Sequence, residues 1–459
     1  MKRVLLVATT TGYQIRSFGE AAEKLGVRLV FASDRCDRLE DPWWDGAIPV
    51  RFHEEARAVA AVVSACTGAP PRGIVAVGDR PAVLAARLAR AFGLPGHPPE
   101  AAETSRNKLA TRRALQAAGL PTPWFVSLPV EGDARALAGR VEYPAVIKPL
   151  ALSGSRGVVR VDTAAELIDA FDRLRRLLQM RDVRMERDET HGQALVEGFI
   201  PGTEYAIEGL LDHGALHVLA IFDKPDPLDG PFFEETIYRT PSIAPPERQQ
   251  QIAAAVTAAA AAIGLHHGPV HAECRIAGET IYVLEVAARP IGGLCSRALR
   301  FRPGGLKASG YHDDEPESVS LEEVLLRHAL GEDVSSYVRE RAASGVMMIP
   351  IPRRGVYRRV DGVDEAKHVA GIEDIRITAK PDTSLVPLPE GKSYLGFIFA
   401  RAAEACAVDR ALRDAHARLR FVIDREVPVA GSVTSPAAGR SQAAAPRPRR
   451  RRSPPSALR

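Results

Sequence analysis

The stretch YPAVIKPLALSGSRGV, residues 143–158, places a lysine before a loop of small residues. A P-loop has the opposite order, with the lysine after the glycines and a helix directly behind it. Here residues 146–147 predict a strand that ends at Lys148, and residues 158–161 predict the next strand. We therefore expect a hairpin that folds over phosphate, with Lys148 neutralising phosphate oxygens and main-chain N–H groups capping them. The loop residues assigned to this contact are Ser153, Gly154, Ser155 and Gly157.

Two glutamates form a second candidate group. Glu273 in HAECRI and Glu285 in VLEVAARP lie on two predicted strands joined by a turn, so both side chains are able to face the same side of the sheet. Facing carboxylates repel each other unless a cation lies between them, and oxygen ligands suit Mg²⁺ that bridges substrate phosphates. The alternatives are two exposed glutamates, or glutamates paired with Arg275 and Arg289. The lysine and its loop upstream favour the metal site.

Strands and helices alternate near the N-terminus. The β-like runs lie at residues 3–8, 28–32 and 73–77, with helical segments between them. This pattern predicts a parallel α/β sheet. The first turn lacks the G-x-G-x-x-G motif, so we expect this region to shape part of a substrate pocket instead of binding a dinucleotide. Further along, residues 105–119 predict one basic amphipathic helix that ends at a glycine.

The length of 459 residues is too great for one ordinary core, so several domains are expected. We predict a parallel α/β domain at 1–100, a two-lobed domain at 101–310 with a lid at about 141–200, a C-terminal subdomain at 311–425 and a disordered tail at 426–459. Residues 440–459 contain seven arginines and no acid, which leaves the rest of the chain mildly acidic. A solvated tail is the preferred interpretation, and contact with nucleic acid or an acidic partner is the alternative.

The composition, with 46% hydrophobic and 26% charged residues, is that of a globular protein. The sequence has no apolar run of about 18 residues, so we expect no membrane span. The short apolar run after the N-terminal Lys-Arg pair predicts a first β-strand and not a signal peptide. Five scattered cysteines without C-x-x-C spacing indicate free thiols in a reducing cytoplasm.

One ordered set of motifs runs through the chain: Lys108, Lys148, the SGSRG loop, EGFIPGTEYAIEG, and paired Glu273 and Glu285 followed by Arg289. This set resembles the ATP-grasp superfamily, and within it the carboxylate–amine ligases similar to bacterial L-amino acid ligases and D-alanine–D-alanine ligase. The resemblance extends to about residue 424 and leaves out the tail. It implies an α+β ATP-grasp fold that binds ATP between two lobes together with Mg²⁺, or Mn²⁺ in its place, and it implies a homodimer.

The resemblance also assigns residues to the nucleotide. Lys108 and Lys148 match the two lysines that bind the α- and β-phosphates. The hinge residues it implies are Glu197 and the main chain of Gly198 and Ile200 at the adenine edge, and Glu204 at the ribose hydroxyls. A carboxylate is suited to the ribose because it accepts paired hydroxyl donors.

Further charged residues are placed by the same resemblance. Arg289 is similar to the family arginine that contacts the transferred phosphate and the acyl-phosphate. Lys224 lies where a third phosphate lysine or a substrate contact is expected, and a surface-loop lysine is an equal alternative. His271 is able to help bind the acyl-phosphate, and a hydrogen-bonded core histidine is the alternative. The neighbours His266 and His267 resemble a metal pair only superficially, because adjacent side chains diverge.

One departure from the family pattern concerns the metal. The family motif Glu-x-Asn reads Glu285-x-Ala287 here, and an alanine side chain cannot coordinate a metal. A second metal ion must therefore take another ligand, bind more weakly or be absent. The candidate replacements are Glu234, Glu235 and water. We expect Glu273 and Glu285 to hold at least one Mg²⁺.

The function implied is an ATP- and Mg²⁺-dependent ligase that activates a carboxylate as an acyl-phosphate and joins it to an amine, forming a peptide or amide bond. Residues 345–424 also resemble the C-terminal subdomain of biotin-carboxylase-type enzymes, so ATP-dependent carboxylation through carboxyphosphate is the first alternative. A non-catalytic ATP-binding regulator is the second. The side chains near the expected pocket do not specify which acid and which amine are joined.

Overall fold

The computed structural model describes residues 1–10, 14–35, 47–303 and 318–426. The tail predicted at 426–459 therefore lies outside the described residues, except for Glu426, and so does Cys36. In the described part, cysteines 66, 274, 295 and 406 are free. No helix among these residues has the length and apolar character needed to cross a membrane.

The N-terminal region forms the predicted parallel sheet, with strand order β3-β2-β1-β4. Its elements are β1 (Arg3–Ala8), α1 (Ile15–Lys24), β2 (Arg28–Ser33), β3 (Ile48–Pro49), α2 (Glu55–Ala65), β4 (Gly73–Val77) and α3 (Asp79–Phe92). Five of the six residues of β1 are buried, as expected for a parallel strand covered on both faces. Helix α3 begins at Asp79, directly after the carboxyl end of β4.

The next region contains an antiparallel sheet with strand order β5-β8-β6-β7, here called the lid sheet. Its elements are α4 (Pro99–Arg106), α5 (Lys108–Ala117), β5 (Phe125–Pro129), α6 (Ala134–Ala138), β6 (Ala145–Pro149), β7 (Val159–Val161), α7 (Ala164–Leu178), α8 (Arg181–Arg184) and β8 (Gln193–Gly198). The structure confirms that the lysine strand and the strand after the small-residue loop form a hairpin, β6–β7.

The single helix predicted at 105–119 is wrong in one respect, because the chain breaks it into α4 and α5 at Asn107. Asn107 has an extended backbone, and its side chain accepts hydrogen bonds from the main-chain N–H groups of Leu109 and Ala110. An asparagine in this position caps a new helix start. The cap places Lys108 in the first turn of α5, at the edge of the lid sheet.

An eight-stranded sheet forms the centre of the molecule, with strand order β13-β12-β9-β10-β11-β17-β21-β19. All its neighbouring strands run antiparallel. The elements before residue 310 are β9 (Thr203–Asp212), β10 (Ala215–Asp223), β11 (Ile237–Thr240), α9 (Pro246–Ile263), β12 (Gly268–Ala277), β13 (Thr280–Ala287) and β14 (Arg300–Pro303).

The C-terminal strands β17, β21 and β19 extend this same central sheet, so residues on both sides of position 310 share one sheet. The remaining elements are β15 (Val319–Ser320), α10 (Leu321–Ala329), β16 (Tyr337–Arg339), β17 (Ala343–Ile349), β18 (Gly355–Asp361), α11 (Val363–Lys367), β19 (Ile372–Ile377), β20 (Thr383–Leu385), β21 (Gly396–Ala402), α12 (Ala405–His416) and β22 (Arg420–Asp424). Two small sheets complete the fold, with strand orders β15-β14-β16 and β20-β18-β22.

Candidate active site

A cavity of about 310 Å³ lies between the lid sheet and strands β9, β12 and β13 of the central sheet. It gathers residues that are widely separated in the sequence. The predicted site residues that line it are Lys108, Lys148, Ser153, Gly154, Ser155, Glu197, Gly198, Ile200, Glu204, His271, Glu273, Glu285 and Arg289. The fold thus brings the lysines, the small-residue loop, the hinge and the paired glutamates to one space.

Gly157 and Lys224 are the two predicted site residues that do not line this cavity. Gly157 has φ +76°, and its main-chain N–H donates to the Pro389 carbonyl oxygen at 2.8 Å. A β-carbon at position 157 would lie 2.7 Å from Leu177 Cδ2. In place of the expected phosphate contact, Gly157 therefore lets the lid hairpin pack closely on α7 and on the C-terminal segment.

A buried charge cluster on the lid side holds Lys148 in place. The Glu197 carboxylate pairs with Lys148 Nζ and accepts a hydrogen bond from Arg112 Nε at 2.8 Å. Burial lowers the pKa of Lys148 to about 8, although Glu197 opposes this shift. Burial disfavours the Glu197 carboxylate, but Arg112 and Lys148 hold its pKa at about 2. The Glu197 carboxylate therefore forms ion pairs with both Arg112 and Lys148. The neighbouring Gly198 donates its N–H to the Trp124 carbonyl oxygen at 3.0 Å.

Lys108 connects the lid loop to the paired glutamates. Its main-chain N–H donates to the Leu150 carbonyl oxygen, and its Nζ donates to the Leu152 carbonyl oxygen, each at 2.9 Å. The same Nζ lies 3.9 Å from Glu285 Oε2. Lys108 and Lys148 thus approach the cavity from the base of the loop and from the end of β6.

The register of the central sheet pairs Glu273 of β12 directly with Glu285 of β13, as the sequence predicts. Burial, followed by the Glu273 carboxylate, raises the pKa of Glu285. The ion pairs of the two nearby arginines are Arg275 with Glu204 and Arg289 with Asp79, instead of the pairs that the alternative interpretation required. Two half-buried carboxylates on paired strands are a suitable oxygen ligand set for a divalent cation such as Mg²⁺.

Lys224 is buried at the centre of three carboxylates, so the surface-loop alternative is wrong. Its Nζ donates to Glu204 Oε1 and Glu235 Oε1 at 2.6 Å each and to Glu273 Oε1 at 2.8 Å. Burial opposes its charge, but the three carboxylates hold the pKa of Lys224 well above its usual value. Of the two side chains proposed to replace the missing asparagine ligand, Glu235 belongs to this group and lines the cavity. Glu234 is half-buried and is not among the cavity residues.

A fully buried glutamate, Glu208, lies behind the cavity residues His271 and Ile291 and contacts both of them. Its Oε2 accepts a hydrogen bond from the Ile291 N–H at 3.0 Å and lies 3.1 Å from His271 Nδ1. Its Oε1 has no hydrogen-bond partner among the described residues. Burial raises the pKa of Glu208 well above its usual value, and burial lowers the pKa of His271 to about 3. Glu208 therefore fixes both His271 and the turn that follows Arg289.

Arg289 is held by an acid from the N-terminal region. Its Nε donates to Asp79 Oδ1 at 2.8 Å, and its Nη1 donates to the Pro290 carbonyl oxygen at 3.1 Å. Burial disfavours ionisation of Asp79, but the Arg289 guanidinium holds the pKa of Asp79 below its usual value. The parallel sheet thus contributes to the site through the first residue of α3.

Sequence reasoning missed three residues of this arrangement: Asp79, Arg112 and Glu208. Arg112 follows Lys108 by four residues on α5, so the helical period was an available signal for a shared face. Glu208 follows Glu204 by four residues on β9, which is an available signal for a shared strand face. For Asp79 the only available signal was its position just after a parallel strand, because its partner Arg289 lies 210 residues further along the chain.

Comparisons with known proteins match most of the described chain. Residues 19–96 match the family model of the ATP-grasp N-terminal domain, residues 141–298 that of the ATP-grasp domain, and residues 347–424 that of the L-amino acid ligase C-terminal domain 2. The crystal structure of L-amino acid ligase from Bacillus licheniformis is similar, with a TM-score of 0.74 and 28% identity over 93% of this chain and 99% of that chain.

Two further relatives have different extents. An uncharacterized protein of Sinorhizobium fredii is 24% identical over 90% of this chain and 82% of its own length. Carnosine synthase 1 of Gallus gallus is 29% identical over 64% of this chain, which spans only 33% of that relative. The match to the first relative covers most of both chains, whereas this chain spans only about a third of the second.

Proposed function

We propose a reaction for this chain from one premise: it belongs to the ATP-grasp superfamily and is a carboxylate–amine ligase related to bacterial L-amino acid ligases. The proposed reaction uses ATP to phosphorylate the carboxylate of one amino acid. The amine of a second amino acid then attacks the acyl-phosphate carbonyl, phosphate leaves, and a peptide or amide bond forms. The products are the dipeptide or amide, ADP and phosphate.

The observation that carries this proposal is the distribution of charge around the cavity. Lys108, Lys148 and Arg289 provide cations, and Glu273 and Glu285 provide oxygen ligands, all around the same space. A free carboxylate reacts poorly with an amine because its oxygen is a poor leaving group. Phosphoryl transfer overcomes this by positioning and charge neutralisation, and it needs no protein nucleophile.

For the nucleotide, we propose that Lys108 and Lys148 bind phosphate oxygens and that the N–H groups of residues 153–155 cap them. Hinge residues 197–200 would form the wall for the base, and Glu204 would receive the ribose. In the present structure the two Glu204 oxygens bind Lys224 and Arg275. Binding of ribose therefore requires Glu204 to share or exchange one of these partners.

For the metal, we propose that Glu273 and Glu285 hold Mg²⁺, or Mn²⁺ in its place, with Glu235 as the side chain that compensates for Ala287. The raised pKa of Glu285 supports this assignment, because a bound cation would relieve the repulsion between the two carboxylates. When bound, the metal supplies charge neutralisation to the phosphates. Metal titration of the wild type and of the Glu235→Gln variant counts the bound ions, and we expect a lower stoichiometry or affinity in the variant.

For the reacting carboxylate, we propose that Arg289 binds the transferred phosphate and that His271 lies beside the acyl-phosphate. The Asp79 contact holds the Arg289 guanidinium, and Glu208 holds the His271 ring. The lid hairpin would exclude water from an intermediate that water can hydrolyse. We propose a different role for Lys224. Because its amine pairs with three carboxylates, it would balance their negative charge instead of binding phosphate.

The match of residues 347–424 to an L-amino acid ligase domain favours this ligase over the carboxylase alternative. The carboxylase alternative rests on the resemblance of this same segment to biotin-carboxylase-type enzymes, so a match to a ligase domain removes its main support. We also propose a homodimer, which sedimentation of the purified chain would test. A monomer at assay concentrations would contradict the dimer without affecting the proposed reaction.

The deciding experiment measures phosphate release from the purified chain with MgATP and L-amino acids, supplied singly and in pairs, with bicarbonate in a separate series. We expect release that requires two amino acids, with a product whose mass is their sum less water. In the same assay Glu285→Ala, which removes a proposed metal ligand, should release far less phosphate than the wild type. Glu279→Ala is its matched control, because Glu279 is an exposed glutamate at the turn of the same hairpin. Release driven by bicarbonate, or ATP binding with no release in any series, would contradict the ligase proposal.

A further inference from the structure

A second group of metal-ligand side chains lies where three elements meet, apart from the cavity. Asp212 is the last residue of β9, His267 directly precedes β12, and His328 lies on α10. Each residue offers one ligand atom, and these atoms all lie within 4.8 Å of one another. The three residues are far apart in the sequence, so no spacing motif predicts that they form a site.

The two imidazoles of this group are buried, and two of their ring nitrogens are unsatisfied. His328 is 5% exposed, and its Nε2 is buried with no hydrogen-bond partner among the described residues. His267 Nδ1 lies 3.2 Å from Asp212 Oδ1 but is not aligned for a hydrogen bond. The two rings stack with centroids 4.3 Å apart. Buried polar atoms normally have partners, so this arrangement requires an explanation.

We propose that Asp212, His267 and His328 bind a divalent first-row transition metal ion, with Zn²⁺ as the best fit. The two imidazole nitrogens are borderline ligands, and a set of two imidazoles with one carboxylate oxygen favours Zn²⁺ over Mg²⁺ or Ca²⁺. The fourth position would be filled by water, since the neighbouring His213 places its Nδ1 2.8 Å from Asp212 Oδ1 and is not among the converging ligand atoms. The Asp212 side chain is 64% exposed, which provides an entry path for the ion.

This site is separate from the proposed Mg²⁺ site, although β12 adjoins both. His267 directly precedes β12, and the proposed Mg²⁺ ligand Glu273 lies further along the same strand. A metal bound to His328 would fix α10 to the ends of β9 and β12. The expected consequence is a higher melting temperature for the metal-loaded chain.

The test uses Co²⁺ as the probe, because tetrahedral Co²⁺ has a visible absorption spectrum that Mg²⁺ and Zn²⁺ lack. The full chain, made without a polyhistidine tag and stripped with a chelator, is titrated with Co²⁺ in excess Mg²⁺, and Zn²⁺ is then added as a competitor. We expect one Co²⁺ per chain with a tetrahedral spectrum that Zn²⁺ abolishes. Asp212→Asn and His267→Gln should weaken binding by more than the roughly 10- to 100-fold that loss of an outer-sphere partner costs.

His368→Gln is the matched control, because His368 is an exposed histidine outside the group. It should bind Co²⁺ like the wild type, and Glu273→Gln should do so as well if the two sites are independent. Asp212→Asn changes an exposed side chain, so it decides the matter even if substitution of the buried His328 prevents folding. A wild-type chain without stoichiometric Co²⁺, or an Asp212→Asn variant with wild-type affinity, would overturn the site.

Discussion

The two walls of the cavity carry opposite charge arrangements. On the lid wall, one carboxylate, Glu197, holds two cations, Arg112 and Lys148. On the wall formed by the central sheet, one cation, Lys224, holds three carboxylates. The lid wall has an excess of positive charge and the sheet wall an excess of negative charge.

This difference indicates what each wall lacks. The excess cations of the lid wall suit phosphate, and the excess carboxylates of the sheet wall suit a divalent cation. A buried charge without a partner is costly, so each excess is held by one counter-charge before any ligand binds. The counter-charges Glu197 and Lys224 therefore keep the charged groups in position, which is the preorganisation that phosphoryl transfer needs.

The largest effect is expected from removing a carboxylate of the sheet wall. Glu285→Ala should lower ADP formation by roughly 1000-fold, because several kcal/mol of charge stabilisation depend on the metal that it is proposed to hold. A coupled assay of ADP release measures this effect. Wild-type turnover in Glu285→Ala would show that the metal assignment, and with it the proposed purpose of the sheet wall, is wrong.

The next effect compares the two counter-charged clusters directly. Lys224→Met leaves the half-buried Glu235 and Glu273 without their lysine, while Glu204 keeps Arg275. This variant should lower the free energy of unfolding by about 3–5 kcal/mol. Lys148→Met should lower it less, because Arg112 still pairs with Glu197 at 2.8 Å. Urea unfolding of both variants measures the difference. Equal losses would contradict the view that Lys224 is the main counter-charge of the sheet wall.

Added Mg²⁺ sharpens this comparison. Mg²⁺ should stabilise the Lys224→Met variant more than it stabilises the wild type, since the cation would take the place of the lysine between the carboxylates. The Lys148→Met variant serves as the control, because its substitution lies on the other wall. If Mg²⁺ stabilised the two variants equally, the carboxylates around Lys224 would not be the Mg²⁺ ligands.

The sequence predicts the parts of the site that depend on local pattern. The β6–β7 hairpin follows from its strand–loop–strand pattern, and the pairing of Glu273 with Glu285 follows from two strands joined by a short turn. The break at Asn107 was also a local signal, since asparagine is a strong helix cap, and the prediction of one continuous helix overlooked it.

The parts that escaped prediction depend on contacts between distant segments. The group joins Lys224, directly after β10, to residues of β9, β12 and the segment before β11, and no spacing in the sequence indicates that they meet. The Asp79 to Arg289 contact likewise joins the first parallel sheet to the central sheet across 210 residues. Gly157 was assigned to phosphate from its place in a small-residue loop, whereas close packing against α7 explains its identity.

A smaller effect is expected from the support of Arg289, which belongs to neither wall. Asp79→Asn should lower kcat by about 10- to 100-fold, because a misplaced guanidinium no longer meets the transferred phosphate. The KM for ATP should stay near the wild-type value, since the lid-wall lysines are unchanged. Asp79→Glu should restore part of the lost kcat. A variant with unchanged kcat would show that the Asp79 contact is structural only.

The smallest effect tests whether the lid wall must remain positive. Burial lowers the pKa of Lys148 to about 8, so the side chain carries its proton below pH 8 and loses it as the pH rises through that value. Because only the protonated amine attracts phosphate, kcat/KM for ATP, which reports the free enzyme, should fall about tenfold between pH 7 and pH 9.

Lys148→Arg is the matched control for this pH dependence, because a guanidinium keeps its charge over the whole range. Its profile should lack the fall, whatever its absolute rate. Ionisation of the amine substrate affects both enzymes equally, so the ratio of the two profiles isolates Lys148. A ratio that stays constant from pH 7 to pH 9 would mean that Lys148 remains charged throughout, and that Glu197 outweighs burial in setting the charge of the lid wall.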